Sequence, residues 1–231
     1  MGTLNMSGMS EEIKKEKLRL AEEAKRLADE KQRFEEKKRK DEENIRSMMK
    51  EAFSGNATIK EYIIDLLKNP KEVNLFKQRV DSLPKVAHKN RKEARKQNDE
   101  GLKYLSSQKY MEAINSFLIA NKLDPADIEI VGNLGVAYYK NGDLNDAEKS
   151  TLLSLKLKPD RIPTWKALGA IYAQKDEMEK AENCFVVAYN FSTEKDVLLG
   201  NFLNPEKYDE VKVPEVKQAI LGAIKKISSM K

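Results

Sequence analysis

Apolar residues along this chain fall at the spacings of helix faces. Ile59, Tyr62, Ile63, Leu66 and Leu67 share one face, Val73, Phe76 and Val80 another, and Val216, Ile220, Ile224 and Ile227 a third. The pattern predicts two short amphipathic helices between 57 and 93, parted at Asn69-Pro70 because proline ends a helix, and two more over 195–204 and 214–229. Residues 10–54 read as one long charged helix with Ser10 as N-cap and Glu11 and Glu12 in its first turn. Glu11 with Lys15, Glu22 with Arg26, Asp29 with Arg33, Glu36 with Lys40 and Glu42 with Arg46 stand four apart in the favourable order. Ile13, Leu20, Leu27 and Phe34 recur every seven residues, as in a coiled coil, but Asp41 interrupts the series before Met48. The second column, Lys17, Ala24, Lys31 and Lys38 before Ile45, is mostly charged, so a solvated helix is preferred to self-association through residues 10–54. Residues 1–9 are polar and expected to be disordered.

Displacing the chain against itself by 34 residues brings Gly101, Gly135 and Gly169 into register, then Tyr104, Tyr138 and Tyr172, then Ala113, Ala147 and Ala181. Pro125 meets Pro159; Phe117 and Ala120 meet Phe185 and Ala188 after two steps; Leu123, Leu157 and Phe191 form a further apolar column. Small residues let two helices approach, aromatic ones fill the space between them, and Asn141-Gly142 supplies a turn. The repeating unit is therefore a helix-turn-helix.

These residues resemble the tetratricopeptide repeat family, whose pattern places Trp, Leu, Gly and Tyr on a first helix and Ala, Phe, Ala and Pro on a second. The third unit, 162–195, carries Trp165, Leu168, Gly169, Tyr172, Ala181, Phe185 and Ala188, with Thr193 in place of the proline. The first unit, 94–127, departs at Gln97 and Glu100, and the second, 128–161, at Val131, Thr151 and Ser154. The resemblance implies an all-α chain: a short α-solenoid of three hairpins over 94–195, flanked by other helices. On this reading the 57–93 hairpin packs on the first repeat and covers its apolar edge, and residues 196–231 cap the third. The last helix is alternatively one that folds back into the groove.

In that family the first helix of each unit lines a concave groove. The resemblance carries groove positions onto Asn98, Leu102 and Leu105, then Asn133, Val136 and Tyr139, then Lys166, Ala170 and Ala173. Asn133 would hydrogen-bond the backbone of an extended protein or peptide segment, and the apolar positions would leave room for its side chains. The variant of this fold that clamps a chaperone's terminal carboxylate needs cations where Asn98, Pro163 and Ala167 stand and an asparagine where Leu102 stands, so such a clamp is not expected and Lys166 is left as the only evident groove cation.

Charge and composition change little. With 43 basic and 38 acidic residues the net charge is +5, and the helix formers Ala, Leu, Lys and Glu dominate. The basic run 85–96 is the one candidate for nucleic acid, but it has no interleaved aromatics, so that partner is disfavoured. A lone Cys184 excludes an internal disulfide, and no run is apolar enough for a signal peptide or membrane span; cytoplasmic residence fits best. Gly2 does not make a myristoylation motif, because Met6 stands where Ser or Thr is needed. One histidine, His88, in a basic run, and Cys184 on a packed helix offer no catalytic triad, no metal cluster and no cofactor loop. The expected function is that of a non-catalytic protein-interaction adaptor or cochaperone-like module; the alternatives are a structural assembly protein joined through residues 10–54 and a nucleic-acid-associated protein.

Overall fold

The computed structural model describes residues 6–54 and 56–230 and divides into two units, Met1–Glu51 and Ala52–Lys231. Helix α1 (Met6–Ser54) forms the first. It starts ahead of Ser10: residues 6–9, expected in a disordered tail, are helical, while residues 1–5 lie outside the described residues. Nothing in that stretch forbids a helix, since Gly8 costs only about 1 kcal/mol relative to alanine. Leu18, Leu20, Leu27 and Phe34 are 64, 54, 59 and 67% exposed. Glu36 and Lys40 pair at 3.0 Å, whereas Arg26 turns to Glu30 at 3.8 Å and not to Glu22. The pair Glu42–Arg46 and the side chains of Ile13, Asp41, Ile45 and Met48 lie outside the described residues.

The second unit is all-α, with no strand among the described residues. Three hairpins follow one another: α4 (Arg91–Ser106) with α5 (Tyr110–Leu123), α6 (Ile128–Asn141) with α7 (Leu144–Leu157), and α8 (Ile162–Gln174) with α9 (Met178–Phe191). They are preceded by α2 (Asn56–Lys68) and α3 (Val73–Asp81) and followed by α10 (Lys195–Phe202), a 3-10 turn (Asp209–Lys212) and α11 (Pro214–Ser228).

Within a hairpin the approach of the two helices is set by glycine. A Cβ on Gly101 would stand 2.6 Å from Phe117 Cε1, and one on Gly169 would stand 2.8 Å from Phe185 Cε2. Thr151 takes the ring's place in the middle hairpin, and a Cβ on Gly135 would meet its hydroxyl at 3.3 Å. The turns obey the same period. Gln108, Gly142 and Asp176, each 34 residues apart, all have positive φ, at 58, 86 and 60°. Only the middle turn carries the residue that adopts this conformation without steric cost.

The α2–α3 hairpin does not pack on the first repeat. It lies against α7 and α9, the second helices of the middle and last hairpins. Phe76 meets the Trp165 ring edge-on at 5.5 Å, and Ile59, Ile63, Leu66, Leu67, Val73 and Val80 join one core with Leu155, Trp165 and Phe185. Polar contacts fix its register. Asn183 donates to the Leu67 carbonyl at 2.8 Å, Asn190 to the Pro70 carbonyl at 2.6 Å, and Lys77 pairs with Asp160 at 2.5 Å. The first hairpin has no comparable apolar edge to offer: Glu100, Lys92 and Lys96 are exposed on α4, and Gln97 is half-buried where the third unit has Trp165. A polar outer helix already serves as the solenoid's end.

Gly101→Ala and Gly169→Ala are expected to cost about 1–3 kcal/mol by overpacking, with Gly135→Ala the mildest of the three, as read by urea denaturation. Gln108→Gly is expected to stabilise the chain by about 0.5–1 kcal/mol, because a left-handed residue with a Cβ is strained by more than glycine's extra chain entropy costs. Asp176→Gly should gain less, since aspartate tolerates this conformation better.

Candidate functional site

Helices α4, α6 and α8 stand side by side, linked by bonds between side chains one residue beyond a full repeat apart. Asn133 donates to Asn98 Oδ1 at 2.8 Å, joining α6 to α4, and Gln174 donates to the Tyr139 hydroxyl at 2.8 Å, joining α8 to α6. Arg95 reaches Asp127 at 2.8 Å and also pairs with Glu129, so α4 holds the start of α6. Asp127 caps that helix by accepting from the amides of Glu129 and Ile130.

All nine residues expected in the groove lie on these three helices, but their exposure differs. Leu102 and Val136 are 40 and 37% exposed, and Leu105, Asn133, Tyr139 and Lys166 are half-buried. Asn98, Ala170 and Ala173 are buried. Asn98 is buried at the bond to Asn133, which places that amide's donor on a neighbour within the fold. The alanines are buried because the C-terminal part of the chain packs over α8: Ala170 and Ala173 share a core with Tyr208, Val211, Val216 and Ala219.

The segment between α10 and α11 was not legible as part of this face. Tyr208 donates to the Lys166 carbonyl at 3.1 Å, the Lys166 ammonium lies 4.0 Å over its ring, and Phe185 meets the ring edge-on at 6.2 Å. Glu210 pairs with Lys140 on α6 at 3.6 Å, so Lys166 is not the sole cation here. Lys166, Tyr208 and Glu210, with Val136, Tyr139, Pro163, Ala167 and Ile171, line a pocket of about 200 Å³. Burial lowers the Lys166 ammonium from its ordinary range while the Glu210 charge opposes the shift. Burial, and then Glu210, push the Tyr139 phenol up to about 12. Pro205, which follows the end of α10, and Pro214, which opens α11, were the available signal that the residues between them leave the helix pattern.

The basic run is partly occupied by contacts within the chain. Lys85 pairs with Asp81 at 2.9 Å, and Lys96 approaches Glu93 at 3.9 Å. His88 Nδ1 lies 2.9 Å from the buried Asp124, whose other oxygen accepts from the Lys89 amide at 3.2 Å. Burial raises the Asp124 carboxyl, but the contacts of His88 and the Lys89 amide together outweigh it and hold the group below its ordinary value. Cys184 is fully buried, and burial pushes its thiol well up. Among the described residues no group of three His, Cys, Asp or Glu side chains stands close enough to hold a metal, and no helix is long and apolar enough to cross a membrane.

A carboxyl with a depressed folded pKa stabilises the fold fully above its unfolded value and loses that contribution as pH falls through the folded one. Asp124→Asn is therefore expected to lower Tm near neutrality, with the difference from the unaltered chain narrowing only below about pH 4. Thermal melts followed by circular dichroism across pH measure it.

Two family models match the chain, one described as TPR repeat over residues 101–142 and one as tetratricopeptide repeat over 128–161. Among solved structures, the chain is similar to the first TPR of Spaghetti (RPAP3) bound to HSP90 peptide SRMEEVD, at 19% identity over 59% of this chain and 99% of that one, with a TM-score of 0.46. It is also similar to the Sgt2 TPR domain from Aspergillus fumigatus, at 18% identity over 64% and 87% of the two chains, with a TM-score of 0.48. No curated protein sequence matches it. Both family models fall within the three stacked hairpins, which repeat at a 34-residue period, so the chain carries tetratricopeptide repeats.

Proposed function

We propose that this chain is a cytoplasmic, non-catalytic adaptor of the cochaperone-like kind, which binds a peptide or helical segment of another protein on the face of α4, α6 and α8. One observation carries the reading: Leu102 and Val136, equivalent residues of successive repeats, are large, apolar and well exposed on the same face. The fold gives neither a core to fill. Burying a side chain of this size against a ligand is worth about 1.5–3 kcal/mol, enough that two in a row anchor a short segment. The Asn98–Asn133 bond between them supports the reading by holding the two helices at fixed spacing, with the Asn133 carbonyl oxygen and the exposed rim left to polar contacts.

A second reading has its own support. Leu20, Leu27 and Phe34 are exposed at seven-residue spacing on α1, so assembly through that helix is the structural alternative. Its charged partner column argues for a weak association. Sedimentation of the full chain over a wide concentration range decides it, because Leu20→Lys with Leu27→Lys should abolish any dimer that α1 makes.

For the groove, a photo-crosslinking residue placed at Val136 in cells is expected to trap a protein that the same residue at Ile119, exposed on α5, does not. In a pull-down of that protein without the crosslinker, Leu102→Asp combined with Val136→Asp should reduce recovery at least about ten-fold, each lost contact being worth roughly a factor of ten or more. Equal crosslinking from the two positions, or recovery unchanged by the double substitution, would overturn the reading.

A further inference from the structure

We infer that residues 203–213 are a resident occupant of the α6–α8 part of the groove, and that the protein segment which takes their place carries an aromatic ring two residues ahead of a carboxylate. The inference rests on the peptide-binding reading above and names the chemistry of the ligand.

Capping the solenoid does not require this strap. Helix α11 already covers the last hairpin, packing Val216, Ala219, Ile220, Ala223 and Ile227 against α8 and α9. A cap needs contact with the last hairpin alone, whereas the strap crosses to the middle one, where Glu210 meets Lys140 of α6. Its anchoring is that of a bound peptide. One ring enters between Phe185 and the Lys166 ammonium, one hydroxyl donates to a main-chain carbonyl, and one carboxylate meets a lysine.

The seat is also imperfectly filled. A pocket of about 200 Å³, open to solvent, remains beside Tyr208 and Glu210, with the exposed Val136 on its wall. That is room for one further apolar side chain. The Lys140–Glu210 pair is partly exposed, with side chains 34 and 25% accessible, so its loss costs little and is repaid by an equivalent carboxylate. Between α10 and α11 the strap has a single 3-10 turn of four residues, and segments of this kind open at a fraction of the cost of global unfolding. A partner with the same ring and carboxylate and an apolar residue in the place of the buried Val211, plus a further apolar side chain for the pocket, makes the strap's main contacts and one more.

The test uses the full chain and a fluorescent peptide of residues 204–213, followed by anisotropy. A tethered strap competes at an effective concentration of about a millimolar, so the unaltered chain should bind the peptide weakly. Tyr208→Ala in the chain should tighten binding about ten-fold or more, and Glu210→Lys should tighten it to a lesser degree. Adding Lys140→Glu to the Tyr208→Ala chain should abolish the gain, and a peptide with lysine at the position of Glu210 should restore it. Circular dichroism establishes that each chain is folded; if Tyr208→Ala is not, Glu210→Lys alone decides. Folded variants that bind the peptide no better than the unaltered chain overturn the inference. That result with Val136 still trapping a partner leaves the groove reading standing. Peptide binding gained while Val136 traps nothing overturns the groove reading and with it the displacing partner, leaving the strap as the seat's resident occupant.

Discussion

A phenyl ring lying against bare backbone sets the geometry on which the second unit depends. Phe117 against Gly101 and Phe185 against Gly169 bring the two helices of a hairpin closer than any side chain at the glycine would allow. The unit so formed is compact enough to stack on its neighbour at one repeated spacing, and that spacing delivers Asn98 to Asn133 and Tyr139 to Gln174. The face of α4, α6 and α8 is thus a product of packing inside the hairpins. The middle hairpin, with Thr151 in place of the ring, shows that one unit can relax the contact while its neighbours keep the register.

The ends of the solenoid are finished in different ways. On α4 the outward positions are polar, so the first hairpin meets water directly. At the other end α11 buries an apolar face on α8 and α9, and the strap that leads into it reaches back as far as α6. Across the second helices, α2 and α3 bind the middle and last hairpins around Trp165, whose indole donates to the Pro159 carbonyl at 2.8 Å. The last hairpin is therefore held on three sides and the first on one.

Much of this was written in residue spacing. Glycine, tyrosine and alanine columns at 34 residues gave the three hairpins, because the same packing problem solved three times leaves the same residues behind. Gln97 and Glu100 depart from the family pattern in the first unit and belong to the polar outer helix that ends the solenoid. What spacing does not contain is which surface an amphipathic helix chooses. Ile59, Ile63 and Phe76 declare an apolar face, but its seat is chosen by shape and by Asn183 and Asn190, over a hundred residues away. The candidate site was legible for the same reason as the hairpins, and incompletely so for the same reason as α2 and α3. The positions on α4, α6 and α8 follow the period, whereas Tyr208 and Glu210 belong to no repeat.

The bond from Asn183 to the Leu67 carbonyl spans 116 residues of chain. During synthesis at about 5–20 residues per second, α2 and α3 are complete on the order of ten seconds before the helix that supplies their seat has left the ribosome. Over that interval Ile59, Ile63 and Phe76 lack the part of their seat that the last hairpin supplies, with only α7 available once the middle hairpin is made. The N-terminal part of this solenoid is therefore among the last to dock, and its apolar face is the surface most in need of protection while the chain is being made.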